Sequence, residues 1–188
     1  MRIITGSAKG AKLLTLEGFE TRPTAERTKE AVFSMLQFDI EGRRVLDVFS
    51  GSGQMALEAL SRGADSAVML DKSKDAVNII NKNAEKTRLK DKCKVFCTDA
   101  FDYIKRNKGE KFDIIFIDPP YALKLVEKTI LALIENDNLK STSLVVCESG
   151  EQDVLAPESS LRDKLEIFKS GKYGVAYVNI FTPKGGNT

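Results

Sequence analysis

The 188-residue chain contains no histidine. That absence removes Ser-His-Asp and Cys-His triads, histidine metal sites and imidazole proton shuttles, and much of hydrolase chemistry with them. Cysteine is scarce: Cys93, Cys97 and Cys147 are odd in number and form no CxxC, so neither a disulfide framework nor a zinc knuckle is signalled, and no metal is expected. All three read as small buried hydrophobes in a protein of a reducing compartment. A charge excess of one sign is also missing. Lys+Arg number 29 against 27 Asp+Glu, which excludes a histone-like polycation and an acidic disordered tail. No apolar run approaches the roughly 18 residues of a membrane span, and MRIITG lacks the long apolar stretch of a signal peptide, so a cytoplasmic protein with no membrane partner is expected. What is present, 42% hydrophobic and 30% charged residues in 20.8 kDa, suits one domain spanning 1–188.

The first 16 residues, MRIITGSAKGAKLLTL, predict two short strands around a turn punctuated by Gly6, Ser7 and Gly10. An extended Arg22-Pro23 step follows, then a helix from about Thr24, the candidate N-cap, with Ala31, Val32, Met35 and Leu36 at helical spacing. Residues 1–40 thus read as an appendage on a core of 41–188. Within the core, strands are predicted at Arg43 to Val48, Ser66 to Leu70, Lys94 to Cys97, Phe112 to Ile117 and Ser143 to Cys147. Helices are predicted near Gln54 to Ser61, Lys74 to Thr87, Ala100 to Lys105 and Lys124 to Ile134. This alternation marks a mostly parallel α/β sheet covered on both faces. LEIFKSGKYGVAYVNIF breaks the rhythm with two β-rich runs about a turn at Gly171 to Gly174, an antiparallel hairpin. A seven-stranded, Rossmann-like, mostly parallel sheet closed by such a hairpin is the class I methyltransferase architecture.

VLDVFSGSGQMALEALSRGA reads as strand, glycine turn and helix, with Gly51 and Gly53 letting backbone approach a ligand at the carboxyl edge of the sheet. Gly51, Gly53 and Ala56 satisfy GxGxxA, which dinucleotide oxidoreductases and methyltransferases share. Asp47, four residues before Gly51, sits badly beside a pyrophosphate but well beside a sulfonium and an α-ammonium group. Asp71 ends the next strand, where it can accept from ribose hydroxyls of either cofactor. Asp99 follows the third strand, placed for an adenine amino group with Ala100 and Phe101 lining the ring. Three strand-end acids in succession fit S-adenosylmethionine. Asp also favours helix caps and strand ends, so a capping role for Asp99 and a structural one for Asp47 stay open.

The most specific feature is FDIIFIDPPY, an apolar strand ending in Asp118-Pro119-Pro120-Tyr121. It resembles the (D/N)PP(Y/F) motif of methyltransferases that modify exocyclic amino nitrogens of bases. An aryl amine's lone pair is delocalised into its ring. Two acceptors on its hydrogens, the Asp118 carboxylate and the Pro119 carbonyl, would pull the nitrogen toward tetrahedral geometry. The prolines stiffen the loop so that both acceptors are in place beforehand, and Tyr121 offers a stacking face worth about 1–3 kcal/mol. An in-line displacement on a sulfonium needs positioning and no strong base.

Over nearly its whole length the chain resembles the RsmD-type 16S ribosomal RNA guanine-N2 methyltransferases. The resemblance rests on RIITGSAKGAKL, TRPTAERTKEAVFSML, DVFSGSG, LEALSRGA, DPPY and KYGVAYVNIF. It implies that Asp47, Phe49, Gly51, Gly53, Asp71, Lys72, Asp99 and Ala100 bind S-adenosylmethionine and that Asp118 to Tyr121 hold the guanine. The implied product is N2-methylguanosine in small-subunit ribosomal RNA within an assembled or partly assembled particle, made by a monomer. Arg2, Lys9, Lys12, Arg22, Thr24 and Arg27 would contact the RNA, with Lys169, Lys172 and Lys184 on the closing hairpin beside them. The turn Ser7-Ala8-Lys9-Gly10-Ala11-Lys12 is less arginine-rich than family members often show, which weakens the expected RNA grip. A DNA amino-methyltransferase is the closest rival, but no segment beyond the amino-terminal appendage is long enough for a target-recognition domain.

Overall fold

Side chains along a strand point alternately to the two faces of a sheet, and the apolar runs of this chain use that alternation to build two hydrophobic layers. The computed structural model describes residues 1–16, 23–119 and 123–185, the side chains of 23–25 and 123–124 excepted. After α1 (Pro23–Met35) come β1 (Arg44–Asp47), α2 (Gln54–Ser61), β2 (Ser66–Asp71), α3 (Lys74–Lys86), β3 (Cys93–Cys97), α4 (Ala100–Arg106), β4 (Phe112–Ile117), α5 (Leu123–Glu135) and β5 (Leu139–Ser149). A short α6 (Leu161–Lys164) and the hairpin strands β6 (Leu165–Tyr173) and β7 (Ala176–Pro183) complete the described elements. The seven strands form one sheet in the order β3-β2-β1-β4-β5-β7-β6. Pairings from β3 to β5 are parallel, and β7 runs antiparallel to both β5 and β6. The expected architecture is thus present, and among the described residues no helix is long and apolar enough to cross a membrane.

Val45, Ala67, Met69, Ile114, Phe116 and Val146 face one layer with α1 and α2, while Leu46, Val68, Leu70, Ile115, Ile117 and Val145 face the other. β4 is buried along its whole length, as a central parallel strand must be. Ile3 and Leu13 of the amino-terminal segment enter the first layer, so this segment shares the core.

Several expectations need correction. The opening segment forms a single bridge, Arg2 to Lys12, in place of two strands. The pairing is short, with Ile3 N–H donating to the Ala11 carbonyl at 2.9 Å and Leu13 N–H to the Met1 carbonyl at 3.0 Å; the residues after it turn to α2, the N–H groups of Ile4 and Thr5 donating to Glu58 and those of Ser7 and Ala8 to Ser61. Thr24 lies inside α1, which begins at Pro23; proline suits a first helical position because its missing N–H would have no partner there. The hairpin turn falls at Gly174-Val175, leaving Gly171 within β6. Cys97 is exposed, because β3 is an edge strand that pairs only with β2.

Candidate active site

Strand order reverses between β1 and β4: the chain builds outward through β2 and β3, then returns to β1's other side. Open α/β sheets bind ligands at such a switch point, beyond the carboxyl ends of the strands. Register places the acids there. Asp47 pairs with Met69 on one side and Phe116 on the other, Asp71 pairs with Cys97, and Ile117 pairs with Cys147. By the alternation of each strand, Asp71, Asp47, Asp118 and Glu148 all fall on the face of Met69, Val45, Phe116 and Val146. They form a staggered row across four neighbouring strands spaced roughly 4.8 Å apart, with Asp71 and Asp118 each two residues farther along than Asp47, and Asp118 level with Glu148. Asp99, just past β3, extends the row at its outer end.

The glycine turn lies over the β1–β2 part of this row. Gly53 takes φ 78 at the start of α2, a left-handed conformation that a side chain disfavours, and a Cβ there would press within 3.3 Å of Ile80 and Met69. A Cβ on Gly51 meets nothing within 4 Å, so the turn is open where a ligand would lie. Gly51 N–H donates to Asp71 Oδ2 at 3.0 Å, and Ser73 N–H to Asp71 Oδ1 at 2.8 Å; each oxygen keeps a lone pair for a further donor. Asp47 is buried, with its Oδ2 accepting from Ala56 N–H at 3.3 Å. Burial pushes its carboxyl up to about 7, with Asp118 and Asp71 adding like-charge repulsion. A buried carboxylate at the helix N-terminus disfavours an anion and favours a cation, so the set fits the positive methionine end of S-adenosylmethionine. Asp99 caps α4, accepting from Phe101 N–H at 2.8 Å and Asp102 N–H at 3.4 Å, so the capping role left open in the sequence is realised. Of the other predicted cofactor residues, Phe49 is half-buried, Lys72 exposed and Ala100 buried.

A cleft opens beside the turn, lined by Lys29, Val32, Gln54, Met55, Phe116, Asp118, Val146 and Glu148, with Ile117 at its floor. Asp118 is open to solvent on one side, yet the protein around it is dense enough that desolvation pushes its carboxyl up to about 6. Glu148 is half-buried and pushed up to about 7, by burial first and by the charge of Asp118 second. Pro119 is half-buried beside them; Pro120 and Tyr121 lie outside the described residues. Cys147, next to Glu148, is buried and its thiol is pushed up, so it stays protonated and is no nucleophile.

α2 and α3 also hold the amino-terminal segment. Glu58, fully buried, accepts from Ile4 N–H at 2.7 Å, Thr5 N–H at 3.0 Å and Arg62 Nε at 2.8 Å, with Lys29 Nζ 3.7 Å away. Burial holds the Lys29 amine below its ordinary value, and its Nζ donates to the Arg2 carbonyl at 2.6 Å. Asn83 of α3 grips Leu14 through both N–H and carbonyl, at 2.8 and 3.0 Å, and donates to the Ser52 carbonyl of the glycine turn at 2.9 Å. Arg2, Lys9, Lys12 and Arg27 are exposed, and the Arg2–Lys12 bridge brings two of them together. Arg22 and the Thr24 side chain lie outside the description. Lys169 and Lys184 are engaged structurally, donating to the carbonyls of Met35 at 2.5 Å and Arg162 at 2.6 Å. Glu58, Asn83, Lys29 and Glu148 were not singled out from the sequence.

The family model described as conserved hypothetical protein 95 matches residues 1–182. A ribosomal RNA small subunit methyltransferase D of Haemophilus influenzae is 34% identical over 162 residues, which span 85% of this chain and 84% of the relative. The solved structure of yhhF from Escherichia coli is 27% identical with a TM-score of 0.84, covering 98% of each chain. An RNA methyltransferase from Salinibacter ruber, solved with S-adenosyl-L-homocysteine, is 17% identical with a TM-score of 0.65 over 85% of this chain and 97% of that one. That last likeness is one of fold, and the fold is that of the class I methyltransferases.

Proposed function

Because the chain belongs to the RsmD family, that of conserved hypothetical protein 95, we propose that it transfers the methyl group of S-adenosylmethionine to the exocyclic N2 of a guanine in small-subunit ribosomal RNA. Ribosomal RNA methylation is supported by what its relatives are named for; the Asp118-Pro119 strand end supports an exocyclic amino nitrogen as the acceptor, and the resemblance to the RsmD-type enzymes supports guanine N2. The observation that carries the reading is the row of carboxylates at the switch point, with a glycine turn over one half and the Asp118 strand end in the other. Asp71 and Asp47 bind the ribose and the cationic methionine part, with Phe49, Lys72, Asp99 and Ala100 beside them around the nucleoside. The bound cofactor supplies an activated methyl group on a sulfonium.

The Asp118 carboxylate and Pro119 carbonyl accept the two N2 hydrogens and turn the nitrogen's lone pair toward that methyl group. As the N2–methyl bond forms, the methyl–sulfur bond breaks and its electron pair stays on sulfur. The surplus proton on N2 passes to Asp118 or to water. Pro120 stiffens the loop and Tyr121 stacks on the base. Arg2, Lys9, Lys12, Arg22, Thr24 and Arg27 grip phosphates of the RNA in a partly or fully assembled subunit. The enzyme works as a cytoplasmic monomer, with residues 1–40 serving the 41–188 core as its RNA grip.

Radiolabelled S-adenosylmethionine offered with small-subunit particles, protein-free ribosomal RNA and duplex DNA, followed by nucleoside mass spectrometry, tests this directly. N2-methylguanosine from the ribosomal substrate is expected, with Asp118→Ala retaining S-adenosylhomocysteine binding and losing transfer. Methyladenine or methylcytosine from DNA, or wild-type transfer by Asp118→Ala, refutes it.

A further inference from the structure

We infer that Glu148 is a second base-reading carboxylate: it accepts the N1–H of the target guanine beside Asp118 and so selects guanine N2 over the amino groups of adenine and cytosine. The inference rests on the proposed methyl transfer and names what makes its site specific.

The placement comes from register. Ile117 pairs with Cys147, so Asp118 and Glu148 are the next residues of two adjacent parallel strands and both face the same cleft. Asp47 and Asp71 lie on the other side of Asp118, under the glycine turn, so the cofactor occupies that side and the base must enter on the side of Glu148. Among the described residues, the Glu148 carboxylate has no hydrogen-bond or salt-bridge partner, while its backbone is held in the β5–β7 ladder opposite Val178. The cation that lines the same cleft, Lys29, is engaged by Glu58 and the Arg2 carbonyl.

Two carboxylates with no partner among the described residues, in one partly desolvated cleft, repel each other. That cost is removed by a ligand presenting adjacent donors. Guanine does so, since its amino group stands next to the protonated N1. In adenine and cytosine the ring nitrogen next to the amino group is a bare acceptor, and a carboxylate, which can only accept, would oppose it lone pair to lone pair. Burial raises both carboxyl groups, to about 7 for Glu148 and about 6 for Asp118, with the charge of Asp118 adding to the rise of Glu148; hydrogen bonds from a docked guanine would favour their ionised forms.

The test compares target RNA carrying guanine or 2-aminopurine at the methylated position. 2-Aminopurine keeps the amino group but has a bare N1. Wild-type enzyme should prefer guanine by about 10- to 100-fold in kcat/KM, and by a similar factor in the Kd of the RNA measured with S-adenosylhomocysteine bound. Glu148→Gln, whose amide can donate to a bare N1, should lose most guanine transfer and flatten or invert the preference, separating the N1 contact from the missing O6 of 2-aminopurine. Glu148→Ala should flatten it as well. An unchanged stabilisation by S-adenosylhomocysteine shows that each variant is folded. Equal use of both bases by wild type, or a full guanine preference in both variants, overturns the inference. Failure of wild type to make N2-methylguanosine on any RNA instead overturns the proposed function and this inference with it.

Discussion

Glu58 is the residue whose loss should be felt farthest from its own position. Its carboxylate is fully buried, accepts two backbone N–H groups from the amino-terminal segment and one bond from Arg62, and stands 3.7 Å from the buried Lys29 amine. Glu58→Gln preserves shape but removes the charge and points an amide N–H₂ at donors. Lys29, with only 1% of its side chain exposed, is left without its counter-charge. Breaking a buried ion pair from one side costs about 3–5 kcal/mol. In a domain of this size each kcal/mol lowers Tm by about 2–4 °C, so a fall of about 6–20 °C is expected. Calorimetry measures it, and amide exchange locates it: Ile4 and Thr5 should lose protection while β4 keeps its own. Lys29→Met combined with Glu58→Gln should recover part of the loss, because the uncompensated cation is gone. A Tm within about 2 °C of wild type, with Ile4 and Thr5 still protected, refutes the idea that this carboxylate anchors the segment.

Gly6 adopts φ +87, and a Cβ there would lie 1.8 Å from the Ser61 carbonyl oxygen; Gly6→Ala should therefore lift the segment from α2, reducing RNA affinity and transfer at least tenfold in filter-binding and turnover assays while S-adenosylhomocysteine still binds. On the proposed mechanism Asp118 must be ionised to accept the N2 hydrogens. With its carboxyl near 6 and Glu148 near 7, kcat/KM should fall on acidification through an acid limb at about pH 6–7 that belongs to the pair; Glu148→Gln should move that limb toward 6, and a flat profile from pH 5 to 8 contradicts it. Asp47 sits at about 7 when folded against 3.8 as an ordinary carboxyl, so the native state holds a proton that the unfolded chain releases between those values. Its contribution is favourable at low pH and lost as pH rises through 7. Asp47→Asn should accordingly raise the cofactor-free Tm by a few degrees at pH 8 and weaken S-adenosylmethionine binding about tenfold; a lower Tm at pH 8 refutes it.

Most of the sheet was legible because parallel strands buried on both faces are short apolar runs, and FDIIFI and SAVML are just that. β4 and α2 match their expected limits, and α3, α4 and α5 differ by one or two end residues, where capping and fraying decide; the four-residue α6 is too short to show a helical period. The alternation of the amino-terminal segment matches a strand pattern, but only the Arg2–Lys12 bridge and the bonds around it follow it; Ile4, Thr5, Ser7 and Ala8 donate instead to Glu58 and Ser61 of α2, about 50 positions away, partners that no local pattern shows. Strand-end acids Asp47, Asp71 and Asp99 stood out next to glycine or after clear strands. Glu148 ends VVCES in the same way and carries the same signal, but without a motif around it. Glu58 and Asn83 sit at buried positions of helices where a polar residue reads as surface, and only the tertiary partner reveals its purpose. Cys97 was misplaced because nothing local distinguishes an edge strand from a central one.

The hidden polar residues explain why the amino-terminal segment and the cofactor turn belong to one device. Asn83 holds Leu14 on one side and the Ser52 carbonyl on the other, so a single amide fixes the distance between the segment proposed to grip RNA and the glycine turn. Glu58 does the same from α2, the helix that starts at Gly53. A methyl transfer that relies on position requires the base and the sulfonium to be held within fractions of an ångström of the productive geometry. On the proposed function both are referred to the same two helices, and the amino-terminal segment contributes Ile3 and Leu13 to the layer that holds Phe116, two residues before Asp118. Displacement of the segment is therefore expected to disturb the Asp118 strand end as well as the proposed RNA grip, because buried bonds couple the two.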